Sequence, residues 1–334
     1  KAALIACGLE RSLPHPDIVS ESGRALCAHH SLLVFKVLGA DSLRDGPAAP
    51  DSVSDDAHDV LRESLETYQG INRKNFLEAY HDALELKEQA ANLFKLGYLD
   101  LSARGACERL FWASCAKVQK IVQDLDHVPE DLEGLEKALS DTYYCNFSVF
   151  QSAPDHWAVD QLFPIMPLHR LNEQPRRRGI LADLTCDSDG KVDQFIDLHD
   201  VKSTLELHAL NDEPYYLGMF LVGAYQEILG DLHNLFGDTN AIQIRIDDSP
   251  LGYRIENVVE GDTVSEVLGY VQYEHPELIR RLRHITEEAL REGRLDVRES
   301  ARLRKRFQSE LSGYTYLETD EEDELAPGDL AAAR

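Results

Sequence analysis

The sequence predicts a mixed chain of class α/β plus β: strands lead into an inserted helical bundle, a β-domain follows, and helices close the C-terminal part. Two patterns predict it. Apolar residues recur at helical spacing mainly over 55–140 and 276–312, and runs rich in branched and aromatic residues, bounded by turn formers, fill the stretches between. Composition sets the scale of burial. The 334 residues are 43% hydrophobic, with 13 Tyr and 11 Phe, enough for one large core or two to three smaller ones.

Near the start, Ile18 and Val19 within 17–22, and the run SLLVFKVL over 31–38, are expected to be buried strands. Gly39 to about Asp55 turns to Asp, Ser, Gly, Pro and Ala, the composition of a linker. Ser54 is expected to cap the helix that follows, because Ala57, Val60, Leu61, Leu65 and Tyr68 recur at helical spacing. Phe76, Tyr80, Leu84 and Ala91 mark a second helix. Leu110, Phe111, Val118, Ile121, Val122 and Leu125 mark a third, stopped by Pro129, and a short segment over 130–139 completes the bundle. Strand signals return at 143–150, 179–184, 215–222 and 241–246, the last with Ile242, Ile244 and Ile246 alternating with polar residues. After Pro276 the pattern is helical through Leu290 and again from Leu303 to Leu311. The expected divisions are 1–39, which ends in the first strand of the β-domain, 40–140 for the inserted helical bundle, 141–275 for the β-domain, 276–317 for the C-terminal helices, and an acidic, disordered tail over 318–334.

Sixty acidic residues against 34 basic ones give a net charge of −26, which argues against nucleic acid and anionic membrane surfaces as partners and is compatible with a small cationic ligand. Cysteines at 7, 27, 107, 115, 145 and 186 form no CxxC pair and no zinc spacing, so a reducing compartment, the cytoplasm, is expected. No apolar run reaches the roughly 18 to 20 residues that span a bilayer. The chain opens at Lys1 directly on the apolar stretch Ala2 to Cys7, which reads like the middle of a domain; a fragment is expected.

Three segments carry more reactive side chains than a plain core requires. In Ser20-Glu21-Ser22-Gly23-Arg24 a glycine lets backbone approach a ligand, an arginine can meet a phosphate and a glutamate can face a pocket; a turn with a surface ion pair is the alternative. In the segment Leu184 to Gly190, Cys186 adjoins Asp187 and Asp189. A thiol beside carboxylates is expected to stay protonated near neutrality and to suit proton donation, against the alternative of an inert cysteine before an Asp/Gly turn. The glycine arrives too early for a calcium loop. In the third segment Tyr225 follows Gly223 and Ala224 and could offer its hydroxyl to an anion, or be a core tyrosine with its hydroxyl at the rim. His29, His30, His58, His81, His199 and His208 show no ligand spacing and are expected to be structural.

In order, SESGRALCAHH, DQLFPIMPLHRL, LADLTCDSDGK and YYLGMFLVGAYQEILGDLHNLFGDTN resemble the biosynthetic arginine decarboxylases. These enzymes are similar to ornithine and diaminopimelate decarboxylases in an alanine-racemase-like fold that joins a TIM barrel to a β-domain. The resemblance implies that 1–39 contains the end of a TIM barrel that binds pyridoxal 5′-phosphate (PLP). It implies conversion of L-arginine to agmatine and CO₂ in polyamine (putrescine and spermidine) biosynthesis, with Mg²⁺ a candidate second cofactor. Glu21 matches the carboxylate that pairs with the pyridine nitrogen, and Gly23, Arg24 and Tyr225 match residues at the cofactor phosphate. Cys186 would protonate Cα, and Asp187 would take the cationic end of the substrate, both across the interface of a homodimer or dimer of dimers. The lysine that binds the cofactor matches no residue here, so a missing N-terminal barrel portion is expected and the chain should not decarboxylate alone. Two alternatives are a catalytically inactive regulatory homologue that binds decarboxylase subunits, and a decarboxylase of another basic amino acid.

Overall fold

In a computed structural model, residues 17, 19–43, 48–54, 56–125, 128–198 and 200–318 are described. The apolar start, Ile18, His199 and the tail beyond 318 lie outside the described residues.

The strand expected over 17–22 is not present in its described residues. Val19 is 94% exposed in irregular backbone, which leads into the short helix α1 (Gly23–Cys27). Extended backbone needs a neighbour for its N–H and C=O groups, and none pairs with this stretch among the described residues. The next expectation fares better. Strand β1 (Leu32–Asp41) follows, burying Phe35 and Val37, so the strand runs past the Gly39 at which a linker was expected.

Three long helices form the bundle: α2 (Asp59–Gly70), α3 (Phe76–Lys95) and α4 (Leu101–Val122), with the single turn α5 (Leu135–Ala138). Ser54 does not cap α2. Its hydroxyl turns to Asp56 and its carbonyl accepts from Ala57 N at 3.0 Å, which closes a turn; His58 Nδ1 instead accepts from Val60 N at 3.2 Å and starts the helix. Asp100 caps α4, accepting from Ala103 N at 2.7 Å. Alanines 79, 83 and 90 of α3 are buried where its neighbours press close, and the larger Phe76, Tyr80 and Leu84 pack around them. The bundle thereby holds two cores, one around Val60, Leu65 and Leu110 and one around Phe111, Cys115 and Val118. Burial pushes the Cys115 thiol up to about 12, so it behaves as a small hydrophobe.

The third core belongs to a seven-stranded mixed sheet. Its strands are β1, β2 (Asp141–Cys145), β3 (Ile165–Pro167), β4 (Arg177–Ala182), β5 (Lys191–Val192), β8 (Leu205–Leu207) and β9 (Tyr215–Phe220). The order is β3-β9-β1-β2-β4-β5, with β8 also paired to β4. Only β2 and β4 run parallel among these pairs; β1 lies antiparallel to both β2 and β9, pairing Phe35 with Leu217 and Val37 with Tyr215. Tyr143, Cys145, Leu181, Leu207, Leu217 and Met219 fill the core. Two strand pairs stand apart: β6 (Phe195–Ile196) with β7 (Val201–Lys202), and β10 (Ala241–Ile246) with β11 (Tyr253–Val259).

The strand expected over 143–150 stops at Cys145, and two helices follow, α6 (Val149–Ser152) and α7 (Pro154–Val159). The cause is capping. Ser148 Oγ accepts from Gln151 N at 3.3 Å, and the buried Asp183 accepts from Val149 N at 2.8 Å, which turns the chain into a helix. Beyond the strands, α8 (Val264–Tyr270) lies where the sequence was expected to be β-domain. Helices α9 (His275–Arg291) and α10 (Val297–Leu311) follow, within the helical patterns expected after Pro276. Capping boxes start two of them, Thr263 with Glu266 and Asp296 with Glu299. Among the described residues no helix is long and apolar enough to cross a membrane.

Candidate active site

The backbone leaving β9 is strained in a concentrated way. Of the seven non-glycine residues with positive φ among the described residues, four lie between 221 and 235: Leu221 (65°), Tyr225 (70°), Asn234 (56°) and Leu235 (60°). Such conformations cost roughly 1–3 kcal/mol each and persist where surrounding contacts over-determine them, as at functional sites. One determining contact is Gly223. Its N–H donates to Ala28 O at 2.9 Å, and a Cβ there would collide with the His30 ring and the Cys27 carbonyl. That close approach seats Tyr225 beside α1.

Of the four residues expected at a cofactor, the fold brings three together. The Arg24 guanidinium lies 5.1 Å from the centroid of the Tyr225 ring, and a Cβ built on Gly23 would sit 3.8 Å from the Tyr225 hydroxyl. Tyr225 is 49% exposed and so is not a core tyrosine. Glu21, the fourth, is exposed in the irregular stretch before α1. Sequence reasoning missed the residue that aims Arg24. Asp155 on α7 holds Arg24 Nη2 at 2.7 Å, and the same Oδ2 accepts from Gln226 Nε2 at 2.8 Å, while Asp155 N donates to Gln226 Oε1 at 3.2 Å. Gln226 is buried and adjoins Tyr225 in sequence, so one carboxylate ties the arginine to the tyrosine's own segment.

Cys186 and Asp187 lie on the loop between β4 and β5, and their placement starts from Asp183. Buried at the end of β4, its Oδ1 accepts from Thr185 N at 2.7 Å and Thr185 Oγ1 at 2.6 Å, and its Oδ2 takes the cap contact from Val149 described above. Burial pushes the Asp183 carboxyl above its ordinary range; the hydrogen bonds from Thr185 and Val149, and nearby His233, pull it back in part. Gly190 closes the loop, since a Cβ there would collide with the Asp183 carboxylate and the Thr185 hydroxyl. Inside it, Asp187 Oδ1 accepts from Asp189 N at 2.9 Å, the Asp/Gly turn that the sequence offered as the bland alternative.

What that alternative lacked is a partner from elsewhere. The Cys186 sulfur lies 3.6 Å from Asn234 Nδ2 and 3.8 Å from its Oδ1, and His233 Nε2 lies 3.6 Å from Asp187 Oδ2. Cys186 is exposed, whereas Cys107, Cys115 and Cys145 are buried and have raised pKa values. An accessible thiol, a carboxylate with one free oxygen and an imidazole thus share one small surface. The α6–α7 segment connects this surface to the arginine–tyrosine pair. Phe150 packs against His233 at 4.4 Å between centroids with the rings tilted by 44°, and Asp155, five residues on, grips Arg24. Among the described residues no group of three or more His, Cys, Asp or Glu is placed to hold a metal ion.

The helical parts define the class. Residues 54–136 match the family described as "Arginine decarboxylase helical bundle domain", and residues 264–317 match "Arginine decarboxylase C-terminal helical extension". Over 320 residues the chain is 55% identical to the biosynthetic arginine decarboxylase of Gloeobacter violaceus, an alignment covering 95% of this chain and 49% of that protein. It is 46% identical over 318 residues to that of Bacteroides thetaiotaomicron, covering 95% of this chain and 50% of the relative. The crystal structure of the biosynthetic arginine decarboxylase from Campylobacter jejuni superposes with a TM-score of 0.73 at 30% identity, covering 89% of this chain and 47% of that one. The chain belongs to the biosynthetic arginine decarboxylase family, and it spans about half the length of the curated relatives it matches.

Proposed function

We propose that this chain supplies part of the active site of a carboxy-lyase that converts L-arginine to agmatine and CO₂. The observation that carries the reading is the common frame. Arg24 with Tyr225, and Cys186 with Asp187, are gathered from three separate stretches of sequence onto the two sides of one segment, α6–α7. Each side of that frame carries an incomplete set, a guanidinium over an exposed tyrosine on one side and an exposed thiol with a half-free carboxylate on the other, which suits two half-sites that a second copy of the chain completes.

The residues present fit PLP. A phosphate dianion needs charged and neutral donors; Arg24 and the Tyr225 hydroxyl, which lie in one neighbourhood, would provide them, and the missing Cβ of Gly23 keeps the approach to that hydroxyl open. Asp155 keeps the guanidinium aimed while leaving its other nitrogens for the ligand. Glu21 would pair with the pyridine nitrogen and hold it protonated. When bound, the cofactor supplies an electron sink for the pair left at Cα as CO₂ departs. Asp187 binds the cationic end of arginine and fixes which bond is presented; Cys186 holds a proton for Cα. Both act across the interface of a homodimer, or of a dimer within a dimer of dimers, and the cytoplasm is the proposed compartment. Mg²⁺ is a second proposed cofactor, and polyamine formation the proposed use of agmatine.

The test is direct. The chain is fused to the N-terminal half of the Gloeobacter violaceus relative, and agmatine is measured from arginine with PLP and Mg²⁺ present. Agmatine is expected from the fusion, and Arg24→Ala is expected to weaken PLP binding by at least about tenfold, as loss of a charge-assisted contact does. A folded fusion that binds PLP and makes no agmatine would overturn the reading.

A further inference from the structure

We infer that His233 is a specificity-determining residue, its Nε2 acting beside Asp187 Oδ2 as a second acceptor for a guanidinium group. The inference rests on the reading above that Asp187 takes the cationic end of the substrate. Its first observation is that His233 Nε2 is buried and has no hydrogen-bond partner in the structure, a condition that costs about 1–3 kcal/mol unless something uses the atom. The second is direction. Nε2 faces Asp187 Oδ2 at 3.6 Å, and the other carboxylate oxygen is already occupied by Asp189 N, so the two unused atoms are next to each other.

The spacing says what the pair awaits. A ring N–H pointing at a carboxylate closes to about 2.7–2.9 Å. At 3.6 Å the two atoms can instead lie side by side as acceptors when the imidazole is neutral and carries its proton on Nδ1. A guanidinium presents pairs of N–H groups in a planar, parallel fork suited to two adjacent acceptors, whereas an ammonium is a compact point charge that satisfies the carboxylate alone. The ring cannot swing away freely. It packs against the Phe150 ring, tilted by 44° at 4.4 Å between centroids, and the residues after it, Asn234 and Leu235, are held at positive φ. A site built to hydrogen-bond a particular group rejects an analogue lacking it because its own polar atoms are then left unpaired. On this inference His233 separates arginine from ornithine and lysine.

Two measurements test it. In the fused enzyme, His233→Ala is expected to raise the arginine KM about 10- to 100-fold with kcat within about threefold, and to leave ornithine inhibition unchanged within about twofold. His233→Gln, whose amide oxygen still accepts, should recover most of that loss. An unchanged arginine KM in His233→Ala, or equal losses for arginine and ornithine that Gln does not rescue, overturns the inference and marks a packing role. The second measurement needs no turnover. In the chain itself, ¹⁵N NMR of His233 is followed while methylguanidinium or methylammonium is added at millimolar concentration. A shift of Nε2 with methylguanidinium alone supports the inference; a response to both or to neither contradicts it. An inactive fusion with a selective methylguanidinium response would sink the decarboxylase reading and leave the guanidinium subsite standing.

Discussion

Replacing Cys186 by alanine in the fused enzyme is expected to lower kcat by about 10²- to 10⁴-fold, with the arginine KM within a few-fold of wild type. On the proposed reading the thiol acts after CO₂ has left, when an electron pair at Cα must receive a proton, and makes no contact that sets substrate binding, so ground-state affinity should stay. Its neighbourhood supports the role: the sulfur is exposed, lies within reach of the Asn234 amide and adjoins Asp187, whereas Cys107, Cys115 and Cys145 are buried and Cys27, though exposed, lies on α1 away from that loop. Without this donor, a proton would at times be delivered to the cofactor side instead; water would then release an aldehyde and the amino group would stay on the cofactor, so part of the arginine consumed should appear as an aldehyde. Steady-state kinetics with agmatine and aldehyde both quantified is the check. Clean agmatine at the wild-type rate would make Cys186 an inert residue at the start of a turn.

The opposite kinetic signature is expected for Asp187→Ala. Removing the carboxylate that pairs with a guanidinium costs about 2 to 4 kcal/mol when the bound substrate excludes water, a rise in arginine KM of roughly 30- to 1000-fold. The loop should survive the change. Its shape depends on Asp183, Thr185 and Gly190, and Asp187 contributes a single Asx contact to Asp189 N. An unfolding midpoint close to wild type, measured beside the kinetics, separates loss of binding from loss of the loop. Equal falls in kcat for Asp187→Ala and Cys186→Ala with no change in KM would contradict the division of labour.

The bundle was largely legible because its signal is local: apolar stripes at helical spacing put Val60, Leu65, Leu110 and Val118 where the structure buries them. Strands β1, β2, β4 and β9 of the main sheet were legible as runs of branched and aromatic residues between turn formers, whereas the short β3, β5 and β8 were not. Legibility failed where a distant side chain decides the local backbone. Val149 and Phe150 look like a strand continuing from Tyr143, but Asp183, 34 residues on, caps the backbone into a helix. Nothing near 149 reports that. Helix α8 was readable in principle, since Thr263 and Glu266 form the three-residue spacing of a capping box; a short helix with few apolar residues was lost to the strand signals before it.

The candidate site divides in the same way. Cys186, Asp187, Arg24 and Tyr225 stood out by residue type. Asp155, Gln226, Asp183 and His233 did not, because their importance is a matter of who meets whom across the fold: Asp155 reads as an ordinary first-turn acid, and His233 as one more histidine without ligand spacing. The exposed Val19 is the reverse case, an apolar residue that promised a strand and finds no sheet neighbour among the described residues.

The central claim is that one active site draws Arg24 and Tyr225 from one subunit and Cys186 and Asp187 from another. Mixing two crippled fusions, Arg24→Ala and Cys186→Ala, tests it most directly. Each alone has little activity. In a mixed dimer one site carries both lesions and the other carries neither, so agmatine formation should recover to about a quarter of wild type when the two chains pair at random. Verified mixed dimers with no more activity than the parents would show that the two residue sets serve the same subunit's site, and the account of a shared active site would be wrong.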